Sequence, residues 1–217
     1  MSLGSSLRPN AGWIAPDLVD EFPELALWSV TFAARSGRSP APVRERLRAL
    51  SDRIRGPQAL ALRQQPVPWA YRVFFRHIGL DPDVQRTPVE ALALERLIKG
   101  GLRSEGLLDD ALTIAVMETG VPLWGLDADR VEGELGLRGA AAGESLGRGE
   151  EALALVAGRL VVADSTGPVA VLFGDTAPGL GVTRQTARMT LFTVQVAGVP
   201  TIHVEEALWT AADIVGA

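Results

Sequence analysis

"LLDDALTIAVMETGVPLWGLDADRVEG", residues 107–133, is where the chain changes character. Its first half sets Leu108, Leu112, Ala115 and Val116 at helical spacing, and Gly120 stops that helix. Gly-Val-Pro follows, then Trp124 between Leu123 and Gly125, then an acid-rich turn holding Asp127 and Asp129. Upstream the apolar residues recur at helical spacing, whereas downstream the period falls to two. Helices first and strands later predict an α+β fold, with sheet layers covered by helices.

Outward toward the N-terminus, residues 85–101 carry the sharpest boundary signals. Thr87 reads as an N-cap, Pro88 as the first helical residue and Glu90 as the far end of a capping box; Gly100 and Gly101 end the helix. Val89, Leu92, Ala93 and Leu97 form its expected buried stripe. Residues 42–55 put Val43, Leu47, Leu50 and Ile54 on one face and arginines on the other, and residues 68–80 form a helix with an aromatic face. Before these, residues 25–32 mix β-formers and apolar side chains and read as a strand. Toward the C-terminus, strands are expected over 132–140, 153–164, 168–175 and 188–198, and a last helix over 204–215. The expected organisation is a disordered or vector-derived tail over 1–15. A single domain follows over 16–217, helix-rich over 42–119, strand-rich over 132–198 and closed by the helix at 204–215.

Composition narrows the chemistry. Cysteine is absent and histidine occurs only at 77 and 203, so thiolate chemistry, disulfides and histidine-rich metal sites are excluded. No phosphate-binding Walker loop, HExxH or dinucleotide fingerprint occurs, and neither a cofactor nor a metal is expected. No apolar run approaches the length of a membrane span and no secretory leader is visible, so a cytoplasmic location is expected. The net charge of −5 is unevenly spread: residues 35–103 hold 14 basic and 6 acidic residues, residues 104–217 hold 6 and 16. A basic third beside an acidic half fits a polyanion partner, and equally fits helices with solvated arginine faces. Arg86, just before the capping box, is either a phosphate contact beside free helix amides or a solvated side chain.

Several linked blocks then carry a family resemblance. Asp110, Thr113, Gly120, Pro122, Asp127, Asp129, Arg130, Gly133, Arg138, Ala140, Gly143, Glu144 and Leu146 match, in order, a motif series of the B3/B4 region of the phenylalanyl-tRNA synthetase β subunit. "GGLRS" (100–104) resembles its G-x-R-S, "LVVAD" (160–164) its [LV]-V-I-A-D, and "LFGDTAPGLGVTRQT" (172–186) its x-G-G-E-x-S-x-V-x-x-x-T. The resemblance covers residues 103–186. It implies a layered β/β/α domain with an N-terminal helical portion. With no room for an aminoacylation domain in 217 residues, a free-standing B3/B4-type protein is expected.

In the synthetase this domain removes tyrosine wrongly esterified to the tRNA for phenylalanine. The resemblance therefore implies tRNA or aminoacyl-tRNA as partner, and two functions stand side by side. One is a trans-acting editing hydrolase that cleaves the ester of mischarged aminoacyl-tRNA. The other is a non-catalytic RNA- or small-ligand-binding module. Ester hydrolysis needs a positioned water and a stabilised oxyanion rather than a covalent nucleophile, and no catalytic residue is assigned.

The implied substrate-binding residues are Arg103, Trp124, Asp175, Gly174 and Arg86, with Asp110, Thr113 and Asp127 in support. Arg103 matches an arginine of the editing site, implying a phosphate or carboxylate clamp. Asp175, after Gly174, falls where editing synthetases carry a glutamate that contacts the tyrosine hydroxyl; it is one methylene shorter and is equally read as an Asx turn. Trp124 falls where they carry a histidine; its indole offers only an N–H donor, so it stacks on a terminal base or packs.

Overall fold

The computed structural model describes residues 7–216. The fold is α+β: seven helices and ten strands alternate among the described residues, most of the helices preceding most of the strands.

The chain opens with β1 (Asn10–Ala11) and β2 (Trp13–Ile14), then α1 (Pro16–Glu21) and β3 (Ala26–Ala33). The tail expected over 1–15 is thus corrected over residues 10–14; its first six residues lie outside the described ones. Two-residue strands carry no alternation to read, and their order comes from pairing far along the chain. β1 joins β3 antiparallel, whereas β2 runs parallel to β5 (Gly136–Gly139). Gly12 is the crossing point between two sheets. A Cβ there would stand 2.2 Å from the Leu135 carbonyl oxygen and 2.6 Å from Leu27 Cδ2, so only glycine fits.

Five helices follow: α2 (Ala41–Arg53), α3 (Gly56–Leu62), α4 (Pro66–His77), α5 (Pro88–Lys99) and α6 (Leu107–Thr119). In α2 the expected face is buried, Val43, Leu47, Leu50 and the following Ile54 all lying in the core. Thr87 and Glu90 form the expected capping box of α5, the Thr87 hydroxyl reaching Glu90 Oε2 at 2.7 Å. Gly100 closes α5 and Gly120 closes α6, both left-handed at φ 72° and 76°. In α5 Val89 and Ala93 are buried, but Leu97 is exposed, because that end of the stripe borders an open groove rather than the core. α3 was not expected. It buries none of its residues, so no apolar stripe marks it.

After α6 the chain enters β4 (Trp124–Asp127), a strand that was not expected, and the acid-rich turn follows it at 128–130. β4 is a strand because it pairs antiparallel with the first half of β10 (Arg188–Gln195), Trp124 opposite Phe192. The first sheet has the order β1-β3-β10-β4. The second sheet is β2-β5-β8-β9, built from β8 (Leu160–Asp164) and β9 (Gly167–Val171). A small ribbon pairs β6 (Ser145–Leu146) with β7 (Leu153–Ala154), so the strand expected over 153–164 is broken at the Gly158 turn. α7 (Thr201–Gly216) closes the chain, packing on α6 and against β10 and β3.

One core joins these layers. Leu27, Val30, Leu191 and Phe192 of the first sheet share it with Leu137, Val162 and Val169 of the second and Ala111, Ile114 and Leu208 of the helices. Among the described residues no helix is long and apolar enough to cross a membrane.

Candidate functional site

Arg103 stands in the loop between α5 and α6, exposed, on the rim of a cleft of about 390 Å³. Ala91, Leu92 and Glu95 of α5 form one wall; Leu112, Thr113 and Val116 of α6 form the other, with Leu123 at the far end. The cleft therefore places Arg103 and Thr113 together, over a mostly aliphatic floor.

Asp110 holds this arrangement in place. It is 1% exposed, in the first turns of α6, where the free amides of the helix favour a carboxylate. Its Oδ2 accepts from the hydroxyls of Ser39 at 2.6 Å and Ser104 at 2.5 Å, and its Oδ1 from the Glu105 amide at 3.1 Å. The loop that carries Arg103 is thereby tied to α6 and to the segment before α2. Asp127 does comparable work at the other end of β4. Buried, it accepts from the Asp129 amide at 3.1 Å and from the Thr186 hydroxyl at 2.8 Å, joining the turn at 128–130 to the loop before β10.

Trp124 is half-buried in an aromatic cluster. Its ring stacks on Phe192 at 5.5 Å and 14° and leans on Phe173 at 5.8 Å. Phe173 takes a left-handed φ of 58°, in the turn that leads from β9 into Gly174 and Asp175. Trp124 and the 173–175 turn are therefore neighbours, with Asp175 exposed and its carbonyl accepting from the Val171 amide. Arg86 lies elsewhere. It lines a groove of about 270 Å³ with Arg63, Asp83 and Glu90, on the opposite side of α5 from Arg103.

Two groups that residue typing passed over stand beside Arg103. Glu105 and Asp109 line its cleft and also line a larger one of about 820 Å³ around the start of α6, so they mark the junction of the two. The Asp109 carboxyl is pushed up from its ordinary range by partial burial, then by Glu105 and Asp110 nearby. The only sequence signal for it was a pair of adjacent aspartates in a helix first turn, which ordinarily signifies nothing beyond the helix dipole.

Much of the basic segment is internally neutralised. Arg72, almost fully buried, meets Glu90 and Asp83 at 2.7 Å each, Arg63 also pairs with Asp83, and Arg46 pairs with Glu118. These arginines tie helices together. Among the described residues no group of three or more histidine, aspartate or glutamate side chains is arranged to hold a metal ion.

The B3/4 domain family matches residues 70–199. The chain belongs to the B3/4 domain family. It is 36% identical over 87 residues to a phenylalanine–tRNA ligase beta subunit of Xylella fastidiosa, covering 40% of this chain and 10% of that protein. It is 37% identical over 92 residues to the corresponding subunit of Streptomyces avermitilis, covering 42% and 11%. A Xanthomonas oryzae subunit matches at 36% over 101 residues, covering 43% and 12%. The chain thus spans about a tenth of the length of these relatives. The match supports a tRNA-related module of the kind found in the ligase beta subunit.

Proposed function

We propose that this B3/4 domain binds the end of tRNA and hydrolyses the ester of mischarged aminoacyl-tRNA, with the cleft between α5 and α6 as its site. The observation that carries this reading is that Arg103 and Thr113 line one cleft whose loop is fixed by buried Asp110. A guanidinium at the rim suits a phosphate or carboxylate, and Thr113 offers a hydroxyl that donates or accepts. The Asp109 carboxylate, at the junction, serves as general base for a water attacking the ester carbonyl; its raised pKa makes it a better base than an ordinary aspartate. The apolar floor of Leu92, Leu112 and Val116 receives an amino-acid side chain.

Trp124 favours a second reading, a binding module without hydrolysis. Its ring is engaged by Phe192 and Phe173, and an indole cannot act as a base. The two readings separate in one experiment. The protein is incubated with tRNA charged with tyrosine, phenylalanine and other amino acids, and ester loss is followed. Deacylation that falls at least about tenfold in Arg103→Ala and in Asp109→Asn supports the hydrolase. Binding of tRNA without deacylation supports the module, and absence of both refutes the assignment.

A further inference from the structure

We infer that the large cleft at the start of α6 takes the backbone phosphates of a single RNA strand, and that the Glu105–Asp109 junction receives its phosphate-free end. This rests on the proposed tRNA-binding reading and gives that reading a route to the Arg103 cleft.

The cleft is walled by three arginines drawn from distant parts of the chain. Arg38 and Arg44 come from the segment around the start of α2, and Arg184 from the loop before β10. The walls are fixed to one another. The Ser36 hydroxyl donates to the Arg184 carbonyl at 2.7 Å, the Leu107 amide donates to the Gly37 carbonyl at 2.8 Å, and Ser39 is tied to Asp110. Arg44 donates to the Ser39 carbonyl, which sets its stem along the wall.

Among the described residues neither Arg38 nor Arg184 has an ion-pair partner; Arg48 and Arg53 of α2 have none either, but they do not line this cleft. Cations left without an internal carboxylate, facing a common cleft, are placed for an external anion. The volume of about 820 Å³ exceeds what one phosphate needs, and Glu105 and Asp109 line both this cleft and the Arg103 cleft. A chain of phosphates suits the first space and an uncharged or cationic terminus the junction, because its two carboxylates repel a terminal phosphate and attract an ammonium. Arg38 and Arg44 lie outside residues 70–199, which match the B3/4 family, and Arg184 lies within them.

The test uses fluorescence anisotropy with a labelled RNA hexamer bearing a 3′-hydroxyl, the same hexamer bearing a 3′-phosphate, and free AMP as competitor. Arg38→Gln with Arg184→Gln should weaken hexamer binding about tenfold at about 50 mM salt. It should also flatten the dependence of log K on log salt by about 1.4, since each contacted phosphate of a single strand contributes roughly 0.7. Arg159→Gln, on the second sheet, should change neither. The 3′-phosphate hexamer should bind more weakly than the 3′-hydroxyl one, and Glu105→Gln with Asp109→Asn should erase that preference. An unchanged salt slope in the double arginine variant overturns the phosphate wall, and equal binding of the two hexamers by the unaltered protein overturns the polarity. AMP competing as well as the hexamer overturns the strand. If the double arginine variant still binds and deacylates tRNA like the unaltered protein, this inference falls and the Arg103 site stands; if no RNA binds at all, both fall.

Discussion

Replacing Asp110 with alanine should unfold the link between the core and the site. Three donors lose their acceptor together: the Ser39 hydroxyl, the Ser104 hydroxyl and the Glu105 amide. Ser39 is 1% exposed, so its hydroxyl finds no water and costs about 1–3 kcal/mol. Ser104 and Glu105 are exposed and rehydrate, each forfeiting about 0.5–1.5 kcal/mol of net hydrogen-bond energy. Relief from burying a carboxylate offsets part of this, leaving a loss of about 2–4 kcal/mol. Urea unfolding at constant slope measures it. A double-mutant cycle with Ser39→Ala should show coupling above about 1 kcal/mol, because one partner is charged. Amide exchange at residues 104–106 should quicken, and Arg103-dependent RNA binding should weaken although Asp110 touches no ligand. A stability loss below about 0.5 kcal/mol, or additivity with Ser39→Ala, would refute the reasoning.

Gly12→Ala should destabilise by about 2 kcal/mol or more, since the new methyl meets a backbone carbonyl that cannot swing away; urea midpoints test this. Trp124→Ala should cost about 3 kcal/mol through lost contact with Phe192 and Phe173, whereas Trp124→Phe should cost under about 1.5, and thermal melts would rank them. Burial pushes the Asp164 carboxyl up, but the Thr166 hydroxyl, the amides of Glu132 and Thr166, and Arg148 outweigh it and hold the pKa below its usual value. Its stabilisation is therefore complete above the unfolded value of about 3.9 and is lost as pH falls through the lower folded value. Asp164→Asn should be less stable than the unaltered protein at neutral pH, with the gap closing below about pH 4 in acid unfolding.

Where the sequence was legible, a local rule coincided with a tertiary demand. The Thr87–Glu90 capping box marks α5 because the same Glu90 carboxylate also receives buried Arg72, so cap and helix packing agree. Gly100 and Gly120 mark helix ends because their left-handed φ values are local requirements. Where structure arises from distant pairing, nothing local announces it. β4 owes its existence to β10, some sixty residues on, and its Trp-Gly-Leu-Asp run has no alternation of its own. The same holds for β1 and β2, each two residues long. At the site, Arg103 and Thr113 are close in sequence as well as in space, on either side of the start of one helix. Arg86 is also near in sequence but faces away, because α5 stands between it and Arg103. A helix wall is invisible to spacing alone.

Trp124 shows how the same limit bears on function. The residue type excludes base chemistry, and that much follows from the sequence. Its neighbours do not: Phe192 lies opposite it across a strand pair, and Phe173 reaches it only because a non-glycine residue accepts a φ of 58°. The turn that carries Gly174 and Asp175 is thus braced from beneath by an aromatic stack. Under the proposed hydrolase reading, a base would come from the Arg103 cleft, which Trp124 does not line. Asp109 is the carboxylate whose burial and charged neighbours raise its proton affinity, and it stands where the arginine-walled cleft and the Arg103 cleft meet. Chemistry placed at that junction would act on the strand end, and it would leave the tryptophan to pack between Phe192 of its own sheet and Phe173 of the turn after β9.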